Sequence, residues 1–378
     1  LAPDSGVSKT HVPPSALEDE VRTATQSIPL SVLRQMPRVL EEAPDGVTVT
    51  RFAGRVMSLE AGDTTGEMYG IAFDIGTTTV VGYLLDLTSG EVLATVSGLN
   101  PQSAYGGDLI SRIGSVMEDA ANLRRMRAGI VGFANELIGQ ACADAGVKRN
   151  RIYKVVVVGN TCMHHLFLGI DPTSVGRAPY TPVISHAFSC AAREAGLRAN
   201  AEAGLFLLPL VAGFVGADTV AMILSTGIHD SEELRAVVDI GTNAEVVMGG
   251  RDRLVACSSP AGPALEGGQI RDGMRAAMGA IDRVSLGDDL ELHTIGEAPP
   301  LGICGSGLID AAAVLLDAGI LAPSGRLPAA PERPMPASLR ARIREGPDGV
   351  TEFVLAWAKE SGTGKDIVLS QLDIRQLQ

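Results

Sequence analysis

An acid, a glycine and a threonine recur at two places where a hydrophobic strand pattern is interrupted. The first copy lies in Phe73–Asp86, FDIGTTTVVGYLLD, and the second in Val238–Gly250, VDIGTNAEVVMGG. In a tight turn, glycine lets backbone N–H groups approach an anion, and hydroxyl groups add further donors. We therefore predict that both copies bind phosphate, through Gly76, Thr77, Thr78 and Thr79 in the first and Gly241, Thr242 and Asn243 in the second.

The acid of each copy indicates a metal ion. A carboxylate repels a phosphate, and a Mg²⁺ ion between them removes that conflict. We predict that Asp74 and Asp239 are catalytic residues that hold Mg²⁺ through water, while the two loops clamp the β- and γ-phosphates of ATP from opposite sides. A single copy of this motif is also typical of an ordinary hairpin turn. Its recurrence within a repeated strand pattern favours phosphate binding.

A third segment, Gly302–Asp310, has the sequence GICGSGLID. Its three glycines remove side-chain bulk at the start of a predicted helix, which suits a base or ribose lying on the backbone with phosphate near the helix N-terminus. We predict that Gly302, Gly305, Ser306 and Gly307 bind the nucleotide. The alternative is close packing of the helix through its glycines.

The elements around these motifs indicate an α/β fold that is duplicated. Residues 68–100 have the pattern of a three-stranded antiparallel meander, and residues 108–146 have helical spacing. YKVVVVGN predicts a buried parallel strand, and the meander pattern returns after Leu234. Two such halves indicate an internal duplication with a cleft for a ligand between them.

Three domains follow from these patterns. Residues 1–66 are polar and rich in proline, so we expect a linker or small cap there, with one short helix and a pair of strands. Residues 67–232 form the first half, and residues 233–378 form a second half that is truncated at its C-terminus. We also expect the chain to be a piece of a longer protein.

Composition limits the possible partners. The chain has 378 residues and a formal net charge of −13, which argues against a nucleic-acid partner. No apolar run reaches membrane-spanning length, so we expect no membrane association and a cytoplasmic location. The five cysteines are scattered and include no CxxC pair. We therefore expect reduced thiols, and neither a zinc site nor an iron–sulfur cluster built from this chain alone.

Two segments admit both structural and functional interpretations. In NPQSAYGGDLISRI, Asp108 could cap a helix and Arg112 could pair with it one turn later, or the segment could help close the nucleotide cleft. In GNTCMHHLFLG, Asn160 and Thr161 end a buried strand and are candidates to face the cleft. The adjacent histidines of that segment indicate core packing or helix capping.

The most unusual segment is CSSPAGPALEGGQIRDGM, residues 257–274. Its two serines, two prolines and several glycines predict a stiff, exposed loop that is followed by Glu266. Core packing does not explain this composition. One interpretation is that the loop serves the nucleotide.

The order of two phosphate loops and a glycine segment resembles the acetate and sugar kinase–Hsp70–actin (ASKHA) superfamily. This resemblance implies an α/β fold of duplicated actin-like, ribonuclease H-like domains with a nucleotide cleft between them. Within it the chain resembles the reductive activators of corrinoid-dependent enzymes, in the stretches DIGTTTVVGYLLDLTSGE, NPQSAYGGDLISRI, VVVVGNTCMHHLFLG, DIGTNAEVV and SSPAGPALEGGQIRDGMRAAMGAID. The resemblance implies ATP-dependent reduction of a corrinoid from Co(II) to Co(I). It also implies an N-terminal [2Fe–2S] domain that lies outside this chain and supplies the electron.

The same resemblance implies a partner and its contacts. The partner is a corrinoid protein, either a corrinoid iron–sulfur protein or a methyltransferase corrinoid subunit, and a homodimer is expected. Ser259 and Glu266 are implied as corrinoid contacts, with Ser259 approaching the cobalt as an axial oxygen ligand. This chain has Ser259-Pro260 where members of the family often have cysteine and alanine after the serine.

Two other functions stay open at this point. A small-molecule kinase of the same superfamily would need a catalytic carboxylate and a polar substrate pocket, and the sequence singles out neither. A nucleotide-dependent scaffold without enzymatic activity, of the actin or Hsp70 kind, would need only the loops.

Overall fold

The structure is a computed structural model that describes residues 6–22, 28–52, 54–287, 289–329 and 335–377. The chain divides into two compact units. The first comprises Leu1–Val237 and Val247–Ala256, and the second comprises Val238–Val246 and Cys257–Gln378. Each unit is described by itself below.

A small layer of strands and helices opens the first unit. Its antiparallel sheet has the order β1-β2-β3, and two helices accompany it: β1 (Val7–Val12), α1 (Leu17–Arg22), α2 (Leu30–Glu42), β2 (Val47–Phe52) and β3 (Arg55–Ala61). The helix and the strand pair predicted for this region are therefore confirmed. The region also has a core of its own, which includes Val32, Val47 and Val56, and β1 was not predicted. Of the two predicted alternatives, a linker or a small cap, a core of its own fits the small cap.

The main sheet of the first unit has six strands in the order β6-β5-β4-β7-β9-β8. Neighbours β4 and β7, and β7 and β9, are parallel, while the other pairs are antiparallel. The predicted meander and the buried parallel strand are confirmed. The strands are β4 (Tyr69–Ile75), β5 (Thr79–Asp86), β6 (Val92–Leu99), β7 (Ile152–Gly159), β8 (Phe188–Ala191) and β9 (Gly204–Leu207).

Four helices complete this unit: α3 (Leu109–Glu118), α4 (Ala121–Ala145), α5 (Thr161–Leu168) and α6 (Ala217–Thr226). The long helix α4 buries Ile130, Ala134, Leu137 and Ala141, which are spaced three or four residues apart on one face. It packs against β5 and β6 and ends at Gly146 in the left-handed conformation that glycine permits. This packing fixes the sheet whose strand ends carry the first phosphate loop.

The strands after residue 234 form three small sheets. The first has the order β10-β11-β12 and repeats the meander, with β10 (Arg235–Ile240), β11 (Asn243–Gly250) and β12 (Arg253–Pro260). The other two have the orders β14-β13-β15 and β16-β17-β18, with β13 (Ala280–Leu286), β14 (Leu290–Thr294), β15 (Gly302–Ile303), β16 (Ile343–Glu345), β17 (Thr351–Ala356) and β18 (Ile367–Ser370).

Three helices belong to the second unit: α7 (Gly305–Asp317), α8 (Ala337–Ala341) and α9 (Gln371–Leu377). Helix α7 packs on β13, and its buried residues Leu308, Ala311 and Leu315 join the core of the unit. None of the helices in the described residues combines the length and the hydrophobicity that a membrane span requires.

Candidate functional site

The first acid–glycine–threonine loop lies at the carboxyl end of a central strand. Strand β4 ends at Ile75, opposite Gly159 at the end of its parallel neighbour β7, and β5 begins at Thr79. Residue 76 must be glycine, because a Cβ there would lie 2.7 Å from the carbonyl oxygen of Thr79. The carboxyl end of parallel strands is a usual place for ligands in α/β sheets.

The carbonyl groups of this loop are all held from one side. The Asn100 amide Nδ2 donates to Gly76 O at 2.8 Å, the Arg112 Nη2 donates to Thr77 O at 2.5 Å, and the Asn100 backbone N–H donates to Thr78 O at 2.9 Å. In a trans peptide the N–H points away from the carbonyl of the same unit. The N–H groups of Thr77 and Thr78 therefore point away from Asn100 and Arg112, as an anion-binding turn requires.

Arg112 is fully buried beneath the loop. Besides Thr77 O it donates to Gly106 O at 3.0 Å and contacts the Met163 Sδ at 3.1 Å, so its hydrogen bonds include no carboxylate. Burial lowers the pKa of Arg112 to about 10. The predicted pairing with Asp108 is wrong, because the carboxylate of Asp108 instead accepts from the backbone and hydroxyl groups of the helix residue three positions later. That geometry makes Asp108 an N-cap, which confirms the capping prediction.

Asn160 connects the next strand end to the same loop. Its Nδ2 donates to the Thr77 Oγ1 at 3.1 Å, and its Oδ1 caps α5 by accepting from Met163 N at 3.0 Å. The start of α6 approaches it closely, since a Cβ on Gly216 would lie 2.4 Å from the Asn160 Cα. Thr161 lies elsewhere, with its hydroxyl donating to Ala212 O at 2.6 Å. Of the two candidates, Asn160 alone contacts the loop.

The two histidines of α5 are core residues, as predicted. His165 is fully buried, with Nδ1 bonded to Thr161 O at 2.7 Å and Nε2 accepting from Val183 N at 3.0 Å. His164 is 1% exposed, and neither ring nitrogen has a hydrogen-bond partner within the part of the chain that the structure describes. Burial and the neighbouring His165 lower the pKa of His164 to about 4, so its ring is neutral at physiological pH.

The second loop, between β10 and β11, is held by a carboxylate. The Thr242 N–H and Oγ1 each donate to the Glu266 Oε1 at 2.8 Å, and the Gly241 N–H donates to Asn243 O at 2.9 Å. Partial desolvation and the Glu266 carboxylate raise the pKa of the exposed Asp239. Two carboxylates near one loop fit a divalent cation between protein and phosphate.

The serine-rich segment differs from its prediction. Ser258 and Ser259 belong to strand β12, so the predicted loop is wrong for its first residues. From Ala261 on the segment is loop and turn, and it includes a short 3₁₀ turn, Pro263–Glu266. Ser258 donates to Glu245 Oε1 at 2.8 Å, while Ser259 is exposed. Glu266 is half-buried and accepts a hydrogen bond from Thr242. The family resemblance had implied a contact between Glu266 and the corrinoid. The pairing with Thr242 had no local signal, because 24 residues separate the two.

The glycines of the third segment are needed for packing. A Cβ on Gly305 would lie 1.9 Å from Leu265 O, and one on Gly307 would lie 2.1 Å from Ile281 O. The structural interpretation of these two glycines therefore holds, whatever they bind. Ser306 lies in the first turn of α7, and its hydroxyl contacts the Cys304 Sγ at 3.3 Å.

The cysteines do not fit a metal cluster. Cys142, Cys162 and Cys304 are buried, Cys190 is half-buried and Cys257 is exposed, and all five are free thiols. Across the described ranges, no three His, Cys, Asp or Glu side chains come together to hold a metal ion. The described residues of the chain therefore bring no such set of ligands together. Its loops, in contrast, offer the hydroxyl and N–H donors, with nearby carboxylates, that suit Mg²⁺ and phosphate.

The α/β architecture and the repeated loops define a protein of the ASKHA class. Two family models match the chain, the RACo middle region over residues 69–231 and the C-terminal ASKHA domain of RACo over residues 233–378. The chain belongs to the RACo family.

Three relatives illustrate the similarity. The corrinoid activation enzyme RamQ of Eubacterium limosum is 39% identical over 82% of this chain and 52% of its own length. The [Co(II) methylated amine-specific corrinoid protein] reductase of Methanosarcina barkeri is 27% identical over 69% and 53%. The solved structure of a reductive activator for a corrinoid, iron–sulfur protein matches with a TM-score of 0.87 and 40% identity, over 99% of this chain and 62% of that one. The chain thus spans about half the length of the curated relatives it matches.

Proposed function

We propose that this chain is the ATP-binding part of a reductive activator that converts a corrinoid protein from Co(II) to Co(I). ATP and Mg²⁺ bind to the two acid–glycine–threonine loops and to the glycine segment at the start of α7. The named relatives are a corrinoid activation enzyme, a corrinoid-protein reductase and a reductive activator, and this similarity supports the proposal.

The observation that carries the proposal is the arrangement behind the first loop. Asn100 and Arg112 hold three successive carbonyl groups, and Asn160 holds the Thr77 hydroxyl. An ordinary hairpin turn needs no such support, because its own strands satisfy it. A loop whose carbonyls are all tied back is preorganised to present its N–H groups to phosphate.

The residues have separate roles in this proposal. Thr77, Thr78 and Thr79 donate to phosphate oxygens, while Asp74 and Asp239 orient Mg²⁺ through its water ligands. Bound Mg²⁺ neutralises charge on the polyphosphate. The buried guanidinium of Arg112 adds positive potential beneath the loop, where low dielectric strengthens its effect.

The electron and the partner lie outside this chain. The reductant is a [2Fe–2S] centre in another part of the longer protein, and one electron passes from it to Co(II), which becomes Co(I). This electron transfer is uphill, so ATP must change the affinity of the activator for one cobalt state. Ser259, which is exposed at the end of β12, supplies an oxygen ligand to Co(II). The partner is a corrinoid iron–sulfur protein or a methyltransferase corrinoid subunit, and the activator is a homodimer.

An anaerobic reduction assay tests this function. The longer protein that carries the [2Fe–2S] centre is mixed with a Co(II) corrinoid protein, Mg²⁺ and a low-potential chemical reductant that reduces the centre, and Co(I) is followed by its absorption spectrum. We expect Co(I) to form with ATP, and to form more slowly with a non-hydrolysable analogue or with the Asp74→Asn variant. ATP-independent reduction, or transfer of phosphate to a small acid or sugar, would contradict the proposal.

A further inference from the structure

The threonine of the second loop is bound to one downstream segment through three of its groups. The Thr242 N–H and hydroxyl donate to Glu266 Oε1, both at 2.8 Å. Its carbonyl accepts from Ala261 N at 3.2 Å and from Gly262 N at 2.9 Å. These hydrogen bonds couple residues 261–266 to Thr242. Pro260 joins the same residues to Ser259.

The Glu266 carboxylate uses the donors that a phosphate would use. A backbone N–H beside a glycine, with a hydroxyl on the same residue, is a typical arrangement for an anion. Each donor carries one hydrogen, so a carboxylate oxygen and a phosphate oxygen compete for the pair. The lack of a side chain at Gly241 makes room for the carboxylate, since a Cβ there would lie 3.3 Å from Oε1, which is closer than an ordinary contact.

The contact is satisfied on one oxygen only. Glu266 Oε2 is buried and has no hydrogen-bond partner among the described residues. The Asp239 carboxylate is near enough to interact electrostatically with it, and the two negative charges repel each other. A buried carboxylate oxygen without a donor favours release towards water or a cation. Thr242 therefore binds the Oε1 atom of Glu266 with two hydrogen bonds and leaves the Oε2 atom without a stabilising contact among the described residues.

We propose that Glu266 is a latch on the second loop, which a nucleotide phosphate displaces from Thr242. Displacement frees the 3₁₀ turn Pro263–Glu266 and the strand end at Ser259. The inference rests on the proposed function, because it requires that the second loop binds phosphate. It makes Glu266 a positioning residue that couples nucleotide binding to the serine segment.

The latch also lies beside the glycine segment. Leu265 O packs so closely against Gly305 that a Cβ there would lie 1.9 Å away. Release of Glu266 therefore reaches the start of α7 through the preceding residue. A single displaced carboxylate thus moves the serine segment and alters a contact of the third segment.

The proposal is tested by whether substitution of Glu266 raises or lowers the affinity for nucleotide. Calorimetric titration compares wild type, Glu266→Ala and Glu266→Gln, with Mg²⁺ and either a non-hydrolysable ATP analogue or AMP. We expect Glu266→Ala to bind the analogue more tightly, on the order of tenfold, because one charge-assisted contact no longer has to break. Glu266→Gln should fall between the two, and AMP affinity should change little. Glu291→Gln, on an exposed strand residue, should match wild type.

Each result supports or overturns the latch. Weaker or unchanged binding by both variants overturns the latch, because Glu266 would then support nucleotide binding or have no effect on it. The proposed function would survive either result. Binding by the variants but not by wild type supports the latch. Absence of binding by wild type and both variants overturns the proposed function and the latch with it. If Glu266→Ala does not fold, Glu266→Gln decides.

Hydrogen exchange provides a readout that affinity alone does not. In wild type, the analogue should speed amide exchange at Ala261 and Gly262, whose N–H groups bond to Thr242. In Glu266→Ala these amides should exchange fast before the analogue is added and change little afterwards. Protection of both amides by the analogue in wild type would contradict the latch, since it would mean that phosphate tightens the segment.

Discussion

The Arg112 guanidinium donates to the Thr77 carbonyl oxygen at 2.5 Å, from a position with no solvent exposure. Its other acceptors are the Gly106 carbonyl and the Met163 sulfur, neither of which is charged. A buried cation without a bonded carboxylate costs desolvation energy that neutral acceptors only partly return. Anionic phosphate on the loop would offset this cost.

Arg112→Met should therefore weaken both the fold and the site. The change leaves the carbonyls of Thr77 and Gly106 without a donor, which should cost about 1–3 kcal/mol for each buried acceptor. Urea unfolding measures that loss, and calorimetry should show weaker binding of Mg-ATP. Arg125→Met, on an exposed arginine of α4, is the matched control and should change neither. Unaltered ATP affinity in a folded Arg112→Met protein would refute the electrostatic role.

Asn160 offers a way to separate folding from binding. Asn160→Asp keeps an oxygen that accepts from Met163 N and so retains the cap of α5, but it loses the donor to the Thr77 hydroxyl. We expect stability close to wild type and weaker binding of Mg-ATP, because a negative charge replaces a donor beside the loop. Asn160→Ala loses both contacts and should also unfold more easily, by about 1 kcal/mol. Equal ATP affinity in Asn160→Asp and wild type would show that Asn160 only caps the helix.

The sequence predicted what depends on local pattern. Alternating residues and the TSGE turn indicated the meander β4–β6, and the hydrophobic run Val155–Val158 indicated the parallel strand β7. The Asp108 cap was also predictable from the sequence, because its hydrogen-bond partner lies only three residues later in the chain. Contacts between distant residues were not predictable, because no local signal links Arg112 to Thr77 or Glu266 to Thr242. Both pairings depend on how the elements pack.

The glycines of α7 give a direct test of packing. Gly305→Ala would place a Cβ 1.9 Å from Leu265 O, a contact that only a backbone shift can relieve. We expect a loss of about 1–3 kcal/mol in the free energy of unfolding. Gly114→Ala in α3 is the control, since a Cβ there meets no atom within 4 Å. Because alanine favours helix more than glycine, this control should gain about 0.5–1 kcal/mol. A neutral Gly305→Ala would mean that the turn Pro263–Glu266 moves easily.

A buried charge cluster joins the N-terminal layer to the six-stranded sheet. Glu60 on β3 accepts from Lys9 Nζ at 2.8 Å and also bonds to Arg151 and to the Tyr153 hydroxyl. Burial alone would raise the pKa of Glu60, but the hydrogen bonds from Lys9, Thr64 and Tyr153 together lower it. Burial lowers the pKa of Lys9 in spite of Glu60. The cluster thus stabilises the charged form of Glu60, whereas burial destabilises the charged form of Lys9.

Glu60→Gln should therefore destabilise the protein more than Lys9→Met does. The glutamine leaves Lys9 buried without its carboxylate and leaves Arg151 with Glu67 as its remaining ion-pair partner. This should cost about 3–5 kcal/mol at pH 7. Lys9→Met leaves Glu60 bonded to Arg151 and Tyr153, so its loss should be smaller. Urea unfolding at pH 7 measures both.

The pH dependence of stability tests whether the negative charge of Glu60 stabilises the fold. A carboxylate with a lowered pKa contributes its full stability above the ordinary glutamate value of 4.5 and loses it as the pH falls through the folded value. Stability of wild type should therefore fall more steeply below pH 4.5 than that of Glu60→Gln, and the two curves should converge in acid. Parallel curves would mean that the cluster stabilises the layer by packing and neutral hydrogen bonds, with no contribution from the charge of Glu60.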